Sequence, residues 1–149
     1  MTLADDFREF LRCLIAREVR FLIVGGHAVS FHGYPRFTHD VDVVVIPEET
    51  NVEALLAALS DFGFGSVALE VSDFLKPITV VLGRPPAQVV IMTLIKGVEL
   101  GEAWARREVG ELDGIEVAFI SRQDSITNKR AVGRPEDLAD IARISDRQS

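Results

Sequence analysis

The 149-residue chain is 48% apolar and 26% charged, ordinary proportions for one globular domain that buries its own core. Its formal charge of −7 excludes an extended nucleic-acid surface, which needs a basic face, and apolar runs such as that at 41–46 are far too short to span a bilayer. Cys13 is the lone cysteine and the opening MTLADDFREFL carries acids where a signal peptide carries positive charge, so a chain without disulfides in the reducing cytoplasm is expected.

Thr2-Leu3-Ala4-Asp5 reads as a capping box, and Leu3, Phe7, Phe10, Leu11, Leu14 and Ile15 mark one helical face to about Glu18. Positions 20–24 form a buried strand broken by Gly25-Gly26, and 27–32 a short helix stopped by Gly33. Pro35 keeps the next segment extended. Positions 41–46 read as a central strand covered on both faces beyond its start. After Pro47 a helix buries Val52, Leu55, Leu56, Leu59 and Phe62, and Gly63 ends it. Positions 78–82 and 88–92 are two strands joined by the turn-prone Gly83-Arg84-Pro85-Pro86. A short helix at 101–107 and a strand at 116–120, after the Asp113-Gly114 turn, follow. Ser121 and Asp124 bracket a second capping box, opening a helix to about Val132 that Gly133 ends, and Pro135 suits the first turn of a last helix. Helices alternating with strands indicate an α/β or α+β domain with a mixed β-sheet flanked by helices.

The strand at 41–46 opens with Asp40 and Asp42 on one face, with Cα atoms about 6.5 Å apart. At an effective dielectric near 20 the two charges repel by roughly 2–3 kcal/mol. Water or a cation must relieve that. Mg²⁺ takes one or two carboxylates plus phosphate oxygens, so the pair is either a metal site or a solvated strand start. Gly25-Gly26, between a strand and a helix, is either a tight turn or a place where phosphate approaches free N–H groups. Arg36 can pair with phosphate or with the two acids, and the Thr38 hydroxyl can donate to either. Lys129 is a phosphate candidate. Arg134 stands near the N-cap of the last helix, where Ser, Asp or Asn serves the backbone better, and an ion pair with Asp137 or Asp140 is the favoured explanation. His27, His32 and His39 lack metal-ligand spacing. His32, before Gly33, fits a helix C-terminus where a cation suits the dipole. Trp104 reads as packing.

The string G-G-x-A…H-G-x-x-R-x-T-x-D-x-D, completed by NKRAVGRPEDLADI at 128–141, resembles the DNA polymerase β-like nucleotidyltransferase superfamily. Within it, the string is similar to the branch of AbiEii-type toxins and minimal nucleotidyltransferases. The resemblance runs from about Phe21 to Ile144. It implies a nucleotidyltransferase fold, Gly25 and Gly26 at the triphosphate of an NTP, Asp40 and Asp42 as catalytic ligands of Mg²⁺ or Mn²⁺, and Arg36, Thr38 and Lys129 assisting. It also implies NMP transfer to a hydroxyl acceptor and suggests an antitoxin-like protein partner. One position departs from the pattern. The superfamily carries a third carboxylate on a neighbouring strand, in a segment like V-D-L-L-T. Here the segment is Val89-Val90-Ile91-Met92-Thr93, and Val90 can neither ligate metal nor accept a proton. Weakened or absent catalysis is expected, leaving a nucleotide- or partner-binding module as the alternative. Glu70, Asp73 and Glu99 are the other carboxylates able to substitute.

Overall fold

The computed structural model describes residues 5–35, 38–64, 68–84 and 87–145. In chain order the elements are α1 (Asp5–Ala16), β1 (Phe21–Val24), α2 (Gly25–Phe31), β2 (Val41–Val45), α3 (Glu49–Leu59), α4 (Val71–Phe74), β3 (Thr79–Arg84), β4 (Ala87–Met92), α5 (Leu100–Ala105), β5 (Glu108–Leu112), β6 (Ile115–Phe119), α6 (Arg122–Val132) and α7 (Pro135–Ser145). The strands form one mixed sheet in the order β3-β4-β2-β1-β6-β5. β2 runs antiparallel to β1 and parallel to β4, while β1 runs parallel to β6. None of the helices among the described residues is long and apolar enough to cross a membrane.

The sheet centre follows from composition. Val41, Val43, Val44 and Val45 are wholly buried, as are Leu22 and Ile23 beside them, because β-branched residues fit a pleat covered on both faces. α1 adds Phe7, Phe10, Leu11 and Leu14 to this core at the expected helical spacing. Ile15 is instead exposed; the buried edge of α1 runs through Cys13. Leu3 and the capping box from Thr2 lie outside the described residues. α1 ends in a Schellman turn, with the Val19 N–H donating to the Leu14 carbonyl and the Glu18 N–H to Ile15. Glu18 takes the left-handed conformation (φ 55°) that glycine ordinarily fills.

Asn51 of α3 is buried among the strand ends. Its amide accepts from the Arg20 N–H at 2.7 Å and donates to the carbonyls of Arg20 (3.0 Å) and Ile46 (2.9 Å). Each of these carbonyls also accepts from a backbone N–H, so Asn51 pairs the Arg20 N–H and ties the two strand ends together. The helix expected to reach Gly63 stops at Leu59 and passes into a wider turn, Ser60–Phe64, in which Gly63 has φ 103°.

Two elements differ from expectation outright. β5 has the sequence EVGEL, with no apolar run to mark it, yet pairs with β6 along its whole length. The pairing is imposed by Asp113-Gly114, whose φ values of 50° and 80° are those of a two-residue type I′ hairpin turn. The four-residue α4 is held by a reciprocal cap between Glu70 and Asp73.

Candidate functional site

β1 ends at Val24, and the chain turns at once into α2 through Gly25, with φ 69°. Val24 lies opposite Asp42 of β2, and Asp42 lies opposite Val90 of β4. Partners in register present their side chains to the same face. The Asp42 carboxylate fills the space a side chain at Gly25 would need: a Cβ there would sit 2.1 Å from Oδ2. Glycine is therefore required at 25 by both backbone angle and contact. At Gly26 a Cβ would meet the Thr38 side chain at 3.1–3.3 Å, tight but less severe. The Thr38 hydroxyl donates in turn to the Asp40 carbonyl at 3.4 Å. No side chain caps the start of α2, so the N–H groups of its first turn keep no side-chain acceptor.

Asp42 is half-buried, and its carboxylate makes no hydrogen bond among the described residues. Burial, and next the charge of Asp40, push its carboxyl up to about 6. The donor set fits one hard cation: two carboxylates on one face, one destabilised by want of a counter-charge, with room for phosphate oxygens and water to complete the shell. It does not fit a second ion in the manner the resemblance implies. The position beside Asp42 is Val90, and the next strand across continues the row with Val81, which is 51% exposed. Neither side chain has a donor for a metal. Glu70 and Asp73 are engaged in capping α4, and the Glu99 carboxylate caps α5 through the N–H groups of Gly101 and Glu102.

Helices α6 and α7, packed together, cover this face. Lys129 comes from the last turn of α6, where its side chain is only 12% exposed. Its Nζ stands 3.1 Å from Asp140 Oδ2 and 3.8 Å from Asp137 Oδ1, both carboxylates of α7 being buried. Asp137 also receives Arg134 at 2.7 Å, and that hydrogen bond, ahead of the charges around it, holds its carboxyl below the usual range. Asp140 receives Arg143 at 3.4 Å, and the Arg143 guanidinium lies 4.5 Å over the Tyr34 ring. The segment at 128–143 is thus a lattice in which two buried acids, Asp137 and Asp140, hold three bases, Lys129, Arg134 and Arg143. Arg134 serves as the ion-pair partner expected for it, and Lys129 is fixed in place.

Gly25, Asp42 and Lys129 line one cavity of about 300 Å³, together with Met92, Leu94, Ile95, Asn128 and Val132. Gly26, Thr38 and Asp40 adjoin it through the contacts above without lining it. Arg36 lies outside the described residues. Leu94, Asn128 and Val132 went unnoticed in the sequence; two of them flank Lys129 in the segment at 128–141, the signal that was available.

The remaining candidates have structural work. His32 stands at the C-cap of α2, as its place before Gly33 suggests, and is buried with its Nε2 2.7 Å from the Ile120 carbonyl, so it ties α2 to the residue after β6. The buried His27 ring is bonded to the Asp40 backbone, and burial lowers its pKa. Asp124 does not close the capping box begun by Ser121. Its buried carboxylate takes a forked bond from Arg106 at 2.9–3.2 Å. Trp104 packs on the core beneath Arg107.

The fold has a counterpart among solved structures. The lincosamide antibiotic adenylyltransferase LnuA, in its lincomycin-bound crystal structure, superposes with a TM-score of 0.58 over 99% of this chain and 100% of its own, at 13% identity. The likeness establishes a shared nucleotidyltransferase fold. No curated protein sequence matches the chain significantly. A family model spanning residues 3–145, described as "Nucleotidyltransferase of unknown function (DUF6036)", does match. The chain belongs to that nucleotidyltransferase family.

Proposed function

We propose that this protein binds a nucleoside triphosphate with one Mg²⁺ or Mn²⁺ ion in the cavity beside Asp42, and transfers NMP to a hydroxyl acceptor slowly. The observation that carries this is the meeting of Gly25, Asp42 and Lys129, far apart in sequence, in the lining of one cavity. Asp40 and Asp42 hold the cation. The uncapped first turn of α2, opened by Gly25 and Gly26, receives phosphate oxygens. Thr38 shapes the approach, Arg36 is assigned to phosphate by the resemblance, and Lys129 supplies positive charge from the opposite wall. A bound divalent ion would neutralise the phosphates and the carboxylate pair.

In the transfer, an acceptor hydroxyl oxygen forms a bond to the α-phosphorus. The bond from that phosphorus to the bridging oxygen breaks, and pyrophosphate leaves. The hydroxyl proton needs an acceptor, and the position next to Asp42 offers only Val90. Losing a group that activates the nucleophile costs several orders of magnitude in rate. LnuA is an adenylyltransferase that binds lincomycin, which supports a small hydroxylated molecule as the acceptor class here. Val90 also favours a second reading: a catalytically silent member of the fold that binds nucleotide or a protein partner, as in the toxin–antitoxin systems its motifs resemble.

Calorimetric titration of the protein with each NTP in Mg²⁺, paired with pyrophosphate release, tests both readings. The first requires saturable, Mg²⁺-dependent binding that is lost in Lys129→Met. Binding without turnover selects the second, and no binding by any NTP rejects the nucleotide site.

A further inference from the structure

We propose that the part of the same cavity walled by Leu94 and Val132 is a nucleobase subsite in which Asn128 selects adenine and cytosine, whose amino group stands where guanine and uracil carry a carbonyl oxygen. This rests on the nucleotide reading above and extends it to the identity of the base.

Leu94 is 58% exposed and Val132 38%. Both line the cavity that Gly25, Asp42 and Lys129 also line. Large apolar side chains facing water at a polar cavity gain from a flat, apolar-faced ligand that covers them. The wall is a fixed one. Leu94 sits in the loop after β4, and that loop is held directly on α6. At Gly97, with φ 81°, a Cβ would lie 2.8 Å from the Cβ of Ala131, so helix and loop approach as closely as glycine permits. One residue earlier, the Lys96 carbonyl accepts from Asn128 Nδ2 at 2.9 Å.

That bond sets the orientation of the Asn128 amide. Turning it over would place Oδ1 against the Lys96 carbonyl, acceptor against acceptor. Oδ1 has no partner among the described residues and is left as an acceptor in the cavity Asn128 lines. An acceptor in that place pairs with the amino group of adenine or cytosine. It opposes the carbonyl oxygen that guanine and uracil carry at the corresponding position.

The test is calorimetry in Mg²⁺ with ATP, CTP, GTP, UTP and inorganic tripolyphosphate. ATP and CTP should bind at least ~10-fold more tightly than GTP and UTP, the discrimination expected of one oriented hydrogen bond. Asn128→Ala should bring the four NTPs together. Leu94→Ser, at an exposed site that tolerates it, should weaken all four NTPs several-fold and leave tripolyphosphate unchanged. Melting curves confirm that both variants are folded. If the four NTPs bind alike, if the preference persists in Asn128→Ala, or if Leu94→Ser weakens tripolyphosphate equally, the base subsite is wrong while the nucleotide site stands. If none of the five ligands binds, both fall.

Discussion

Replacing Asp42 by Asn changes how stability depends on pH, by an amount the fold makes calculable. Burial, then Asp40, raise the Asp42 carboxyl from its ordinary 3.8 to about 6. In the unfolded chain the same group titrates near the ordinary carboxylate value. Between the two values the folded protein keeps a proton that the unfolded chain has lost. Stability from this group therefore falls as pH rises from about 4 to about 6, and the loss is complete above that range. A rise of about two pH units, at about 1.4 kcal/mol each, sets the loss at about 3 kcal/mol. Asn cannot ionise, so between about pH 4 and about pH 8 the stability of Asp42→Asn should move in its favour by about 3 kcal/mol relative to wild type, whatever fixed cost the amide carries. For a domain of this size that is roughly 6–12 °C in Tm. Urea unfolding across that range in EDTA measures it. Saturating Mg²⁺ near pH 8 should stabilise wild type and leave the variant unmoved. A wild-type-to-variant difference that stays constant with pH would refute the burial and repulsion assigned to Asp42, and with them the physical case for a cation.

Val90→Asp should destabilise the metal-free protein by roughly 1–3 kcal/mol, through a third carboxylate beside Asp42. Mn²⁺ or Mg²⁺ should restore it, and pyrophosphate release should rise; unchanged metal affinity by calorimetry would show that position 90 does not serve the site. Gly25→Ala should cost more stability than Gly26→Ala, about 2–4 kcal/mol against about 1, because only the first both forces a left-handed residue and displaces the Asp42 carboxylate. Chemical denaturation ranks the two, and equal losses would contradict the contact geometry. Asn51→Leu should cost about 1–3 kcal/mol by stranding the Arg20 N–H, the two carbonyls keeping their backbone partners; hydrogen exchange at the Arg20 amide should lose its protection first.

Local chemistry made most of the elements legible in the sequence. Apolar periodicity located α1, α3, β1 and β2, because burial on one face leaves a repeat of 3.6 or a continuous run. Glycine marked the places where the backbone takes a positive φ, at 25, 63 and 133. The spacing of Asp40 and Asp42 already contained their repulsion, and the resemblance alone marks Val90 as standing where a carboxylate is expected. β5 left no such trace. EVGEL is a strand only because β6 and a tight turn make it one, and pairing energy resides in the partner, not in the segment.

The site itself was decided by the tertiary structure. Nothing local tells that Lys129 is fixed by Asp137 and Asp140, that His32 bonds the residue after β6, or that Glu70, Asp73 and Glu99 are occupied as helix caps. Each of those outcomes depends on which polar group stands within hydrogen-bond reach after packing. Sequence spacing specifies that only within one helix turn or one strand. The cavity joining Gly25 and Asp42 to Leu94, Asn128 and Val132 is likewise a property of how α6 lies across the sheet. The sequence determined which residues are able to do chemistry. Only the packing of α6 and α7 on the sheet decided which of them share a space, because that distance is set by long-range contacts that no single segment encodes.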